Sequence, residues 1–432
     1  MVSTMATAGI LAALLLVFIF SRVEIGFAIG MIGFLFLVFV DQNLTIGISR
    51  AYGGLDKFVL LAIPFFLLAG ELVNKSGITD RLIRTANVTV GRFRGGLAQG
   101  NIVASLLFSG LTGAAVADVA ALGSIFVPAM ADEGYDRDFS AAVTAASSLV
   151  GPIIPPSIII VIYGAVTQTS IGGMFAAAVV PGILLSLSLM VLVAIMAVRY
   201  DLPRYEVEVD RKEYPMLLGH SLLAMTMPAI ILIGITGGYM TPTEAAAAAS
   251  GYAFFLGVVV YRSLSLNGMY LALREAMERS AQLYIIIGFA SILTWVLARS
   301  GVTDTLIGAI QGLGLGPLGF MLVISLLLLF VGTWLEIGAA AIMLGPTIAE
   351  MSSTLGIHPF QFGIMFIVTL NFGLITPPVG ICLFAASSVS EVPVWPIAKQ
   401  IVPFFIVDII VLLLLINIPE LTLWFPRATG FI

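Results

Sequence analysis

GPIIPPSIIIVIYG (151–164) interrupts an apolar stretch of the chain with glycine and paired prolines, and GLITPPVGICLFAA (373–386) does the same 222 positions later. Proline removes a backbone donor and clashes with the preceding turn, so each proline pair must unwind its helix. Unpaired backbone groups are costly in hydrocarbon and persist there only where protein or water satisfies them. Two similar breaks, 222 positions apart, therefore predict a pair of related sites inside a membrane protein.

The composition independently indicates an all-α polytopic membrane protein. The 432 residues are 60% hydrophobic and 10% charged, with a mean hydropathy of +1.12, whereas soluble domains carry about 25% charged residues. Many apolar runs approach the ~20 residues that span a bilayer. The alternating pattern of a β-barrel is not found.

Several function classes lack their motifs in this sequence. No P-loop is present, so ATP is not the direct source of energy. Cys382, His220 and His358 are the only cysteine and histidines, too few for an internal disulfide or a structural zinc site. No basic, aromatic-interleaved tract points to nucleic acid.

The apolar segments divide into three kinds. Eight predict full crossings: 4–20, 25–40, 55–73, 174–198, 217–235, 243–261, 281–298 and 396–417. Two longer segments, 138–168 and 359–390, contain the breaks and predict interrupted helices. Segments 97–130 and 316–351 each consist of two half-length helices around small residues, which predicts re-entrant hairpins. Residues 78–93 and 268–280 are amphipathic and predict helices along the inner surface.

The basic residues support this topology. If the first crossing, 4–20, begins on the outer side of the membrane, 15 of the 19 lysines and arginines fall in cytoplasmic loops. The four in outer loops are Arg50, Lys57, Arg299 and Arg427. The positive-inside rule predicts this bias, and both termini are then expected outside.

The chain also contains an internal repeat. SGITDRLI (76–83) resembles SGVTDTLI (300–307), and VVPGIL (179–184) resembles IVPFFI (401–406). Five crossings lie between the repeat starts, so the second copy is expected inverted, as in secondary transporters. The predicted organisation is scaffold helices (1–54), first repeat (55–198), cytoplasmic linker (199–216), central scaffold (217–280), second repeat (281–417) and tail (418–432).

Each hairpin tip and its break form a candidate sodium site, because freed carbonyls ligate small hard cations and restarted helix N-termini attract anions. The candidate sodium ligands are Thr112, Gly113, Ala114, Ser148, Gly151, Ile153 and Pro155, then Gly332, Thr333, Glu336, Gly373, Thr376 and Pro377. Asp118, Pro156, Ser157, Asn371 and Pro378 are the candidate substrate residues.

Asp118 and Glu336 are acidic at predicted membrane depth, which is costly and usually functional. Either carboxylate would ligate or compensate sodium or carry a proton; the alternative is a helix-terminus acid facing water. No arginine lies in a tip or a break, so backbone N–H groups or the scaffold must hold an anion.

FSGLTGAAVADVAALG (108–123), GPIIPPSIIIVIYG and GTWLEIGAAAIMLGP (332–346) resemble the large membrane subunit of TRAP transporters, the tripartite ATP-independent periplasmic transporters, and the resemblance covers essentially the whole chain. It implies a sodium-coupled elevator-type importer in the bacterial inner membrane. It also implies a small four-helix membrane subunit, a periplasmic binding protein and organic-anion substrates such as dicarboxylates, sialic acid and sulfonates. The family often has Ser-Gly-Ser where Thr112, Gly113 and Ala114 stand, and Asp where Glu336 stands.

Three alternatives remain from the sequence. One is a sodium- or proton-coupled elevator carrier that works alone. A membrane hydrolase lacks a convincing nucleophile–base set. A channel would conduct ions at rates that no carrier reaches.

Overall fold

The computed structural model describes the chain except residues 1–13, 15–16, 19–22, 40–41, 205–213, 302–304, 306–307, 309–313 and 315. The described residues form helices and short connections, with an isolated β-bridge between Arg94 and Arg204. Most of the predicted crossing at 4–20 and the middle of the predicted linker 199–216 lie outside the described residues.

Helices follow one another closely along the chain. The first half contains α1 (Ile25–Phe39), α2 (Leu44–Leu55), α3 (Ala62–Lys75), α4 (Ile78–Val90), α5 (Gly96–Thr112), α6 (Ala115–Asp132), α7 (Arg137–Ser148), α8 (Ile158–Thr167) and α9 (Ile171–Arg199). The second half contains α10 (Tyr214–Thr236), α11 (Pro242–Phe255), α12 (Leu266–Arg299), α13 (Pro317–Gly332), α14 (Ile337–Thr354), α15 (Pro359–Gly373), α16 (Ile381–Ser390), α17 (Val394–Asn417) and α18 (Glu420–Ala428).

Seven helical segments in the described part are long and apolar enough to cross a membrane: Phe58–Lys75, Ala115–Asp132, Ile171–Arg199, Leu218–Thr236, Pro242–Val260, Leu266–Arg299 and Val394–Asn417. Six of them coincide, to within three residues at any end that falls short, with predicted full crossings or extend beyond them. The seventh, α6, was expected as the second half of the hairpin 97–130. The predicted crossing 25–40 forms the shorter helix α1, of 15 residues.

The structure differs from the sequence prediction at three places. Residues 268–280 do not form a separate surface helix but continue into the next crossing as α12, a 34-residue helix that begins behind the cap Ser265. Helices α2 and α18 were not predicted, because both are short and polar by the standard of the crossings.

The helices of the two halves recur in the same order and at a constant spacing. The starts of α13, α14, α15, α16 and α17 lie 221 to 223 positions after those of α5, α6, α7, α8 and α9. Packing between the halves is reciprocal: α6 packs on α16, and α14 packs on α8. Reciprocal contacts between equivalent elements are the pattern that a two-fold axis produces.

Buried polar side chains join the first hairpin to the first interrupted helix. Asn101 Nδ2 donates to Thr144 Oγ1 at 2.6 Å, and Ser105 Oγ donates to Ser147 Oγ at 2.8 Å. Lipid supplies no hydrophobic force between helices, so small residues and such hydrogen bonds hold them together. This pairing of α5 with α7 places the hairpin turn beside the break.

A second group of helices faces the hairpins. The long helix α12 packs against α1, α2 and α3, and α11 packs against α3. Helix α12 also contacts α14 of the second hairpin. A crevice between these two groups holds the cavities described below.

Candidate functional site

The first hairpin turns at Gly113, beside the first break. Gly113 has φ +63°, a left-handed conformation that glycine adopts without penalty. A Cβ built there would lie 3.2 Å from the Pro156 carbonyl oxygen and 3.4 Å from the Ile158 nitrogen. The turn between α5 and α6 therefore lies against the first break, with Thr112 ending α5 and Ala114 preceding α6.

The second tip and break are in closer contact. A Cβ on Gly332 would lie 2.4 Å from the Leu370 carbonyl oxygen, and one on Gly373 would lie 2.4 Å from the Gly332 carbonyl carbon. The Gly380 N–H donates to the Thr333 carbonyl at 3.1 Å. Only glycine allows the two backbones to approach this closely.

The two acidic residues occupy different environments. Asp118 lies in the first turn of α6 and is fully buried. Its Oδ2 lies 2.4 Å from a Cβ built on Gly151, so the carboxyl group sits against the first break. Glu336 caps α14, where its Oε2 accepts from the Ala339 N–H at 3.0 Å, and its side chain is exposed to the cavity described below.

The predicted hydroxyl ligands also bond to their own backbone. The hydroxyl groups of Ser148, Thr333 and Thr376 donate to carbonyls three or four residues earlier. Ser157 caps α8 by accepting from the Ile160 N–H and donates to the Pro152 carbonyl. An oxygen that donates its proton keeps lone pairs for a cation.

Asn371 joins the two breaks. Its Nδ2 donates to the carbonyl oxygen of Leu149, which lies 222 positions earlier. Equivalent positions of the two halves therefore meet where both helices unwind. The Asn371 Oδ1 is buried and has no hydrogen-bond partner among the described residues.

The remaining predicted residues lie on the two breaks. Ile153, Pro155 and Pro156 are buried, whereas Pro377 and Pro378 are exposed. The bonds Pro155–Pro156 and Pro377–Pro378 are both cis. The first break is thus enclosed by protein and the second is open.

Both tips border a cavity of about 730 Å³, which we term the tip cavity. Four helices present their N-terminal residues to it: Ala115 of α6, Ile158 of α8, Ile337 of α14 and Ile381 of α16. Helix N-termini carry partial positive charge and free N–H groups, which suit an anion. Of the predicted site residues, Gly113, Ala114 and Glu336 line the tip cavity.

Arg279 of α12 also lines the tip cavity, and sequence reasoning missed it. Its guanidinium pairs with Glu71 of α3 at 3.1 Å; the Glu71 side chain is 6% exposed and that of Arg279 is 47% exposed. The sequence predicts a surface helix at 268–280 and a separate crossing at 281–298, so it places Arg279 on the cytoplasmic side, outside the membrane. The continuous helix α12 carries this arginine to the cavity.

Such a bundle, with interrupted helices around an anion-suited cavity, defines a membrane transport protein. The family profile described as "Tripartite ATP-independent periplasmic transporter, DctM component" matches residues 12–421. The chain belongs to this family, and it is a transport permease rather than an enzyme.

Two relatives illustrate the similarity. The chain is 37% identical over 413 residues to the sialic acid TRAP transporter large permease protein SiaM of Vibrio cholerae serotype O1, covering 95% of this chain and 96% of that protein. It is 38% identical over 375 residues to the C4-dicarboxylate TRAP transporter large permease protein DctM of Pseudomonas aeruginosa, covering 87% and 88%.

A solved structure shares the fold. The YdaH transporter of Alcanivorax borkumensis superposes with a TM-score of 0.62 at 15% identity, covering 90% of this chain and 88% of that chain. The resemblance to the large TRAP permeases inferred from the hairpin and break motifs is confirmed by the family match.

Proposed function

We propose that this chain imports a small organic anion together with sodium, as the large membrane subunit of a three-part transporter. The single observation that carries the proposal is the tip cavity, where four helix N-termini and Arg279 converge beside two tip-and-break pairs. The substrate class follows its relatives, whose names specify sialic acid and C4-dicarboxylates.

Positive potential for an anion comes from the helix N-termini and from Arg279, in a cavity whose lining also includes the carboxyl groups of Glu24 and Glu336. Helices α6 and α16 begin without a side-chain cap among the described residues, so their first N–H groups point to the cavity as anion donors. Arg279 offers a planar guanidinium that matches a carboxylate or sulfonate. The cavity volume of about 730 Å³ falls in the range of small-molecule sites.

Sodium binds where the interrupted helices end. The C-terminal ends of α7 and α15 carry partial negative charge and unpaired carbonyls, which suit a cation. One site comprises residues 112–114 with 151–155 and the buried Asp118; the other comprises 332–336 with 373–377. The orphaned Asn371 Oδ1 between the breaks is a further oxygen that fits a hard cation.

The membrane potential supplies the driving force. Each positive charge that moves inward gains about 2.3 kcal/mol per 100 mV. Two sodium ions therefore more than offset the cost of importing a monovalent anion. Helices α5–α8 and α13–α16, the transport domain of this proposal, slide against a scaffold that includes α1–α3 and α10–α12.

The orientation follows the basic residues. We place the chain in the bacterial inner membrane with both termini in the periplasm and the two copies of the repeat inverted. The tips at Gly113 and Glu336 then lie at mid-membrane depth as re-entrant turns, although α6 is long enough to cross. A separate small four-helix membrane subunit and a periplasmic binding protein complete the transporter.

Reconstituted uptake tests the function. The chain and its small membrane subunit are placed in liposomes with an inward sodium gradient, and the binding protein loaded with its labelled anion is added. We expect uptake that requires sodium and the binding protein. Uptake without sodium would refute the coupling, and sodium-dependent uptake without the binding protein would identify a stand-alone carrier.

A further inference from the structure

A second cavity, of about 830 Å³, lies at another level of the same crevice; we term it the cationic pocket. Its walls include Arg50 and Lys57, together with the polar residues Asn43, Ser49, Gln168 and Thr294. No aspartate or glutamate is among the described residues that line it. The pocket therefore carries two positive charges and no lining acid.

Both cations keep donors available for a ligand. The guanidinium of Arg50 lies 5.5 Å from the ring centroid of Trp295, and no described carboxylate lies within ion-pair distance of it. Lys57 Nζ donates to the Ala165 carbonyl at 3.1 Å, in the last turn of α8. An ammonium has three donors, so two remain. The indole face orients the guanidinium plane through a cation–π contact.

The two cavities are aligned along the same helices. Four residues of α12 between Gln282 and Ile286 line the tip cavity, and six between Ile287 and Ala298 line the cationic pocket. From Gln282 to Trp295 the helix rises about 20 Å. Helix α14 likewise contributes Ala339 to the first and Pro346 to the second. The two cavities therefore share α12 and α14 as walls.

We propose that the cationic pocket is a second anion site, in which Arg50 and Lys57 bind the carboxylate or sulfonate of the organic anion. Its assignment to the transported anion rests on the proposed function. Arg50 and Lys57 are outer-loop residues in the predicted topology, so this site receives the anion from the outer side before transfer to the tip cavity. A guanidinium and an ammonium converging on one anion form charge-assisted hydrogen bonds.

Ligand-observed saturation-transfer NMR in sodium-free buffer tests the pocket separately from transport. The full chain with its small membrane subunit is held in phosphatidylcholine nanodiscs, and succinate, N-acetylneuraminate and isethionate are titrated as probes. We expect saturable binding of at least one probe. Arg50→Gln and Lys57→Gln should each weaken it at least tenfold, which corresponds to about 1.4 kcal/mol, and Arg50→Lys, which keeps the charge but not the planar guanidinium, should recover only part of the affinity.

Arg92→Gln is the matched control, because Arg92 also lies over an aromatic ring, that of Phe93 at 5.2 Å, but lines neither cavity. It should bind as wild type. No saturable binding to wild type, or equal binding by the Arg50 and Lys57 variants that elute as monodisperse complexes, overturns the inference. Loss of the signal when phosphatidylglycerol is included would assign the pocket to a lipid headgroup and also overturn it. Failure of sodium-dependent uptake with this binding intact would refute the proposed function alone.

Discussion

Gly373→Ala is the most direct perturbation of the second tip-and-break pair. The added Cβ would lie 2.4 Å from the Gly332 carbonyl carbon, 2.6 Å from the Gly332 Cα and 2.8 Å from the Thr333 nitrogen. All three atoms belong to the backbone, so no side-chain rotation relieves the overlap. The tip must move away from the break.

The required movement sets the size of the effect. Ordinary contact begins near 3.4 Å, so tip and break must separate by about 1 Å. Overpacking of this kind costs about 1–3 kcal/mol, equivalent to about 5- to 150-fold in an equilibrium constant. The displaced atoms belong to the proposed second sodium site. We therefore expect the sodium concentration for half-maximal uptake to rise at least fivefold.

Two measurements check this prediction. Initial uptake in proteoliposomes at increasing sodium gives the half-saturation value, and thermal unfolding of the purified chain with and without sodium reports binding, because a ligand stabilises only the state that binds it. Gly251→Ala is the matched control, since a Cβ there meets nothing within 4 Å. Replacing this glycine should be neutral or stabilise by about 0.4–1 kcal/mol.

An unchanged sodium requirement in Gly373→Ala, with wild-type thermal stability, would refute the placement of a sodium site at this contact. A lower stability with unchanged sodium dependence would confine the contact to a structural role. Loss of uptake in Gly251→Ala would show that small changes elsewhere in the bundle also disturb transport. The effect of Gly373→Ala could then not be assigned to the contact between tip and break.

Three further substitutions test other parts of the site. Arg279→Gln leaves the buried carboxylate of Glu71 without its cation. We expect lower thermal stability and a KM for the anion about tenfold higher. Adding Glu71→Gln to Arg279→Gln should restore the stability but not the KM. Glu336→Gln keeps an oxygen that accepts from the Ala339 N–H but removes the carboxylate. Uptake should need at least tenfold more sodium, at near-normal thermal stability. An unchanged sodium requirement would mean that Glu336 only caps the helix. Gly113→Ala forces a side chain into a left-handed turn, at about 1–2 kcal/mol, and should lower thermal stability and sodium affinity together; wild-type values for both would contradict the tip geometry.

The helix breaks were predictable because local chemistry determines them. Paired prolines cannot continue a helix, and α8 restarts immediately after Ser157, whose side chain caps it. The glycine at the first tip and its left-handed turn follow from the same short-range rules. The spacing of the repeat then located the second copy of each feature.

Side-chain contacts between helices far apart in the chain could not be predicted from the sequence. The ion pair of Arg279 with Glu71 joins helices far apart in the chain, and hydropathy windows assign such residues to loops. Only the continuity of α12 shows that Arg279 faces the cavity. For the same reason the contact of Asn371 with Leu149, 222 positions apart, could not be read from spacing alone.

Differences between the two halves explain how sodium and anion become coupled in the proposed mechanism. Ala114 and Glu336 occupy the same place, each preceding the second helix of its hairpin, but only Glu336 carries a carboxyl group, which the proposed mechanism takes as ionised. With Asp118 ionised as well, a transport domain that carries a monovalent anion without sodium would move three negative charges through a low-dielectric barrier, which is strongly unfavourable. Two sodium ions reduce this to one. The empty domain returns with two negative charges, which meet the same barrier but move outward with the inside-negative potential, so one full cycle carries one net positive charge inward. One carboxylate beside each tip thus makes the crossing of the anion without sodium costlier than its crossing with two sodium ions.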